Sequence, residues 1–229
     1  AAASGGAVEI RLEDTAASSN SRLMRTGSAY SYAGVGANET WLYHAGAGTI
    51  NIGPDGAGAV KIVNNGAERM RIDSSGFVGI GTTPSDWRTQ FDDNALDIGN
   101  HSAIYDQWGG ATFIANNFYR QNNNAFIYKT NNDASYLQMD GSNITFGNAP
   151  TGTAGATATF SERMRLDASG NLLVGKTATG FGTSGIELRN DNTLFVTRNN
   201  NTPAYINRLT GDGHIVEFAK DGSTVGSIG

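Results

Sequence analysis

Residues 68 to 81 read Glu68-Arg-Met-Arg-Ile-Asp-Ser-Ser-Gly-Phe-Val-Gly-Ile-Gly81, and 94 positions later the chain reads Glu162-Arg-Met-Arg-Leu-Asp-Ala-Ser-Gly-Asn-Leu-Leu-Val-Gly175. In both copies apolar side chains alternate with polar ones before a central turn, at Met70 and Ile72 and at Met164 and Leu166. The alternation resumes beyond it, at Val78 and Ile80 and at Leu172 and Val174. A period of two belongs to a strand with one face covered, so each copy is predicted to be a half-buried β-hairpin. The linking Asp73-Ser-Ser-Gly76 and Asp167-Ala-Ser-Gly170 place glycine where a three-residue hairpin loop needs a left-handed residue.

Weaker marks extend the repeat. Thr49-Ile-Asn-Ile-Gly53 falls on Asn143-Ile-Thr-Phe-Gly147 at the same offset, and an apolar-acidic-apolar triplet recurs as Val8-Glu9-Ile10, Leu96-Asp97-Ile98 and Ile186-Glu187-Leu188. These divide the chain into a β-repeat module over 1–94, a second, aromatic-rich module over 95–184, and a partial β-module over 185–229.

Composition supports the same class. Of 229 residues, 31 are Gly and 23 are Asn, so helices of ordinary length are not expected. Leu, Ile, Val and Phe number 45, and only 16% of residues are charged, with a net charge of −5. A chain poor in both apolar and charged groups suits repeated β architecture better than a compact enzyme. The predicted fold is therefore all-β, made of repeated hairpin or sandwich-like modules. Asn116-Asn117, Asn122 to Asn124 and Asn131-Asn132 separate short aromatic and β-branched runs, as turns between strands would. A short helix competes with strands only over Ala7 to Thr26, which lacks Gly and Pro. Each hairpin would expose an apolar face that one thin module cannot cover, which predicts a homotrimer.

Several function classes find no support. The chain has no Cys, hence no thiolate metal site and no Cys nucleophile. No apolar run approaches the length of a membrane helix, and Ala1 to Ala7 lack the basic and apolar regions of a signal peptide. Lys and Arg are scattered singly, so no basic stripe serves a phosphate backbone. Gly170-Asn-Leu-Leu-Val-Gly175-Lys176-Thr177 matches a phosphate-binding loop letter for letter. Three glycines within 178–185 deny it the following helix, and the sister copy has Thr82 at the place of Lys176. Lys176 is thus expected to be incidental. His44, His101 and His214 lie far apart without ligand spacing. The acidic neighbours Glu13-Asp14 and Asp92-Asp93 would point to opposite faces of a strand, unlike a glycosidase pair. No catalytic residue, metal or cofactor is expected within one chain; in a trimer, an axial site with one His from each subunit and an acid pair assembled between subunits stay open.

The aromatic distribution is the one hint of a ligand. Nine of the 21 aromatic residues fall within 101–146, with Asn between them. Rings and amides together suit sugar recognition, which makes Tyr105, Trp108, Phe118, Tyr119 and Tyr128 candidates for a shallow glycan site.

Glu68 to Pro84, its copy at 162–177, and Pro203 to Gly229 resemble bacteriophage tail fibre proteins. In that family such segments precede an endosialidase-type intramolecular chaperone that drives trimerisation and then cuts itself off. The resemblance implies a homotrimeric fibre on the virion, extracellular, that joins other tail proteins and binds a host surface polysaccharide or receptor. The chaperone's self-cleaving residues have no counterpart up to Gly229, so no protease activity is implied.

Overall fold

The structure, a computed structural model, describes residues 8–13, 20–25, 40–45, 52, 58–87, 94–107 and 109–229. Every regular element among them is a strand. The chain forms two compact units, residues 1–55 and 56–229. In the first, β1 (Val8–Glu13), β2 (Asn20–Arg25) and β3 (Thr40–Ala45) make an antiparallel sheet in that order. The stretch where a helix competed therefore holds two paired strands.

The second unit begins with β4 (Val60–Asn64), β5 (Ala67–Ile72), β6 (Val78–Ile80), β7 (Ala95–Ile98), β8 (Ser102–Gln107) and β9 (Ala111–Asn116). It continues with β10 (Phe118–Arg120), β11 (Phe126–Tyr128), β12 (Ala134–Asp140), β13 (Asn143–Ala149), β14 (Ser161–Leu166) and β15 (Leu172–Val174). Last come β16 (Gly185–Leu188), β17 (Leu194–Thr197), β18 (Val216–Lys220) and β19 (Ser223–Ile228). Twelve of these form one sheet, which runs in chain order from β4 to β17 and omits only the separate hairpin β10–β11. All neighbours in it are antiparallel except β6 and β7. β18 and β19 pair apart from the sheet.

The two sequence copies are the hairpins β5–β6 and β14–β15, with the same sequence of covered and exposed positions. Their loops are built alike. The Asp73 N–H donates to the Phe77 carbonyl at 2.9 Å, and the Asp167 N–H donates to the Asn171 carbonyl at 2.9 Å. Each leaves a three-residue loop whose last member, Gly76 or Gly170, has a φ of 88° or 84°. The Asp carboxylate accepts two backbone N–H groups inside the loop, from Ser75 and Phe77 or from Ser169 and Asn171. Asn124 and Asn192 take the left-handed place in two further loops of this pattern, which explains part of the Asn content.

The Glu-Arg-Met-Arg phrase also has a geometric reason. Residues three apart on a regular strand point to opposite faces. Arg69 and Arg163 are extra residues in their ladders, since the pairing jumps from Glu68 to Met70 and from Glu162 to Met164. The bulge returns Glu68 to the side of Arg71, and Glu162 to that of Arg165, where ion pairs close at 2.5 and 2.6 Å. Arg71 holds the Glu68 carboxyl down at about 2.

The repeat and the compact units divide the chain differently. The module boundaries at 94/95 and 184/185 fall between β6 and β7 and between β15 and β16, inside the continuous sheet.

One face of that sheet is apolar from edge to edge. The pairing register aligns Val60, Ile72, Val78, Leu96, Ile104, Ile114, Leu137, Phe146, Met164, Val174, Ile186 and Val196 in a single row, one residue from each strand. None of the twelve is buried, and Ile104 and Ile114 are 43% and 48% exposed. A parallel row adds Met139, Ile144, Leu166, Leu172, Leu188 and Leu194. At about 4.8 Å per strand, the first row is about 50 Å long.

Candidate functional site

The opposite face of the sheet is where the unit keeps its core. Ala103 and Tyr105 on β8, and Ala111, Phe113 and Ala115 on β9, point to this side and are buried. Alternating alanines leave room for rings. Trp87, Phe118, Phe126, Tyr136 and Phe160 fill it, with Tyr105 stacked on Phe113 at 4.8 Å and Phe118 against Phe160 at 4.7 Å. The small hairpin β10–β11 closes over them, tied to the 156–158 segment by hydrogen bonds from the Tyr128 N–H to the Ala156 carbonyl and from the Ala158 N–H to the Phe126 carbonyl.

This placement corrects most of the predicted glycan patch. Tyr105 and Phe118 are 1% and 0% exposed, so they are core rings and not a solvent-facing surface. Tyr128 is also buried: its ring lies over Gly152, where a β-carbon would come within 2.2 Å of it, and its hydroxyl donates to the Pro150 carbonyl at 2.5 Å. Tyr119 alone is half-exposed. Trp108 lies outside the described residues, as do Asp14, Asp92 and Asp93. The physical reason for the correction is the thinness of the sheet, which must cover one face with the residues of a short hairpin and therefore uses large rings.

Tyr119 and Tyr128 line a cleft of about 350 Å³ whose other walls include Ser85, Asp86, Asn100, Lys129 and Thr130. At its floor Lys129 donates to Asp97 Oδ1 at 2.6 Å, with side chains only 6% and 1% exposed. Ser85 donates its N–H and its hydroxyl to Asp97 Oδ2 at 2.7 and 2.8 Å. The Lys129 ammonium also lies 5.4 Å from the centre of the Trp87 ring. Burial pulls the Lys129 pKa below its ordinary value, against the opposing pull of Asp97. Burial, and then the nearby charge of Asp86, raise the Tyr119 phenol above its own.

A second acid is buried in the same manner. Glu187, 0% exposed, accepts from Lys176, from the Gly180 N–H at 2.8 Å and from Arg189 at 2.8 Å. Lys176 donates in addition to the carbonyls of Gly180 and Thr183 at 2.7 and 3.2 Å. Lys176 is therefore not incidental. It neutralises an acid inside the protein, while the middle of the phosphate-loop match is strand β15. Where the first copy has Thr82 in place of Lys176, Lys129 supplies the cation to Asp97 from another strand end.

The triplets Leu96-Asp97-Ile98 and Ile186-Glu187-Leu188 carried the signal for both acids, because an acid alternating with apolar residues on a strand points to the other face. Nothing comparable marked Lys129 or Asp86. His101 and His214 are exposed, and no three His, Asp or Glu side chains cluster among the described residues. No protein family matches the chain in sequence, and no curated protein does.

Proposed function

We propose that this chain is a subunit of a homotrimeric virion fibre of the phage tail type, which attaches the particle to a glycan on the host surface without cutting it. The observation that carries the reading is the apolar row across all twelve strands. A monomer rarely leaves so long a stripe in water, and three copies turned about one axis would each cover it for the others. The repeated hairpins supply a lengthwise motif of the kind a fibre uses, and the polar cleft lies on the face away from the row. Light scattering on the folded protein is expected to return three times the 24.0 kDa chain mass, and the trimer is expected to adsorb to host cells. A monomer would refute the assembly, and reducing ends released from host polysaccharide would make it a depolymerase instead.

A purely structural shaft is the second reading, favoured by the burial of Tyr105, Phe118 and Tyr128. It requires a trimer that does not adsorb.

A further inference from the structure

We propose that the cleft between Tyr119 and Lys129 binds a single neutral sugar residue and rejects acidic ones. The site deepens the attachment reading and rests on it for its biological setting, while its chemistry can be tested alone. At about 350 Å³ the cleft is at the small end of ligand sites, a volume that suits a single sugar ring. An ammonium has three N–H donors, and among the described residues Lys129 uses one, toward Asp97. Its side chain is more than nine-tenths buried and lines the cleft, so between the Trp87 ring and the cleft, an oxygen placed in the cleft is the polar partner open to the remaining donors.

The charge balance decides what they accept. Asp97 already neutralises Lys129, and no cation pairs with the exposed Asp86 among the described residues. The described charged residues that line the cleft therefore sum to about one net negative charge, which repels a carboxylate or sulfate ligand. Hydroxyl and ring oxygens satisfy the donors without that penalty, and Asp86 and Asn100 can accept from sugar hydroxyls in turn. Tyr119, held edge-on to Trp87 at 6.1 Å, offers a ring of fixed orientation for the apolar side of a pyranose.

The test is ligand-observed saturation-transfer NMR on the full chain. Methyl glycosides of glucose, galactose, mannose, rhamnose and N-acetylglucosamine serve as neutral probes, with glucuronic and N-acetylneuraminic acids as acidic ones. At least one neutral probe is expected to bind, and both acids at least tenfold more weakly. Tyr119→Ala should weaken the neutral probe at least tenfold. Asp86→Asn, at an exposed position that leaves the core untouched, should shrink the discrimination against acids about tenfold, and it decides the matter should Tyr119→Ala fail to fold. The proposal is overturned if no neutral probe binds, if the acids bind better, or if the Asp86 variant behaves as wild type. Adsorption to cells that survives both variants would remove the cleft and leave the attachment reading standing. Neutral-sugar binding by a protein that does not adsorb would do the reverse.

Discussion

Lys176 stands where its sister hairpin has a threonine, yet it holds four groups together: Glu187, two carbonyls and, through Glu187, the N–H of Gly180. Removing Lys176 would leave the buried Glu187 carboxylate with Arg189 as its remaining cation and would free one of its two oxygens of its charged partner, a loss that costs more than the pair's own net worth. Lys176→Ala is expected to lower the melting temperature by about 10 °C, whereas an exposed control such as Lys61→Ala should move it little, as differential scanning calorimetry would show. The same residues give a pH dependence. Lys176 first, then Arg189, hold the Glu187 carboxyl at about 2, below its ordinary 4.5. The folded protein thus keeps this carboxylate ionised where the unfolded chain would protonate it. Its contribution is complete above about pH 4.5 and is lost as the pH falls toward 2. Glu187→Gln should flatten part of the decline in melting temperature over that window, at the price of a lower melting temperature at pH 7. A decline of unchanged slope would assign acid sensitivity to other carboxylates.

At the scale of the element, the two copies are alike in loop and unlike in what crosses them. Gly79 and Leu173 are equivalent positions, yet a β-carbon on Gly79 would lie 2.3 Å from the Thr82 carbonyl oxygen and 2.9 Å from Pro84 Cδ. Thr82 to Pro84, just after β6, lie over Gly79, and β6 pairs parallel with β7, while β15 and β16 pair antiparallel and leave room for a fully buried Leu173. Gly79→Leu, which merely copies the sister hairpin, should therefore disrupt folding, and Leu173→Gly should only weaken it by a few kcal/mol as a cavity. Gly76→Val and Gly170→Val force a β-branched residue to positive φ and should each cost about 1–3 kcal/mol in chemical denaturation. The hairpins and their loops were legible because the information is local: alternation of period two and an Asp carboxylate two to four residues from the N–H groups it binds. The role of the rings was not. On β8 and β9 both faces are apolar, Ile104 and Ile114 on one side and Tyr105 and Phe113 on the other, so alternation alone does not say which side is core. The usable signal was size, since Ala103-x-Tyr105 and Ala111-x-Phe113-x-Ala115 place small residues beside large rings, as interdigitating layers require.

At the scale of the whole molecule, the sheet is finished on one face and unfinished on the other. The ring-and-alanine core covers the middle of the inner face within one chain, so a substitution in the middle of the outer row should leave the fold of that chain intact. Each side chain of the row would gain on the order of 1 kcal/mol when covered, and the row repeats in every copy. Ile114 lies near its middle, between Ile104 and Leu137, and is 48% exposed. Ile114→Glu should cost the single chain little, yet it would bring one buried, unpaired carboxylate per subunit into the interface. The expected result is a protein with unchanged far-ultraviolet circular dichroism that sediments as a monomer. Asn123→Glu, in the exposed loop between β10 and β11, carries the same charge on the other side and should assemble as wild type. Assembly that survives Ile114→Glu would mean that the row is not the interface. Loss of secondary structure in the same variant would mean that the sheet does not form before its face is covered, so that folding and assembly are a single step.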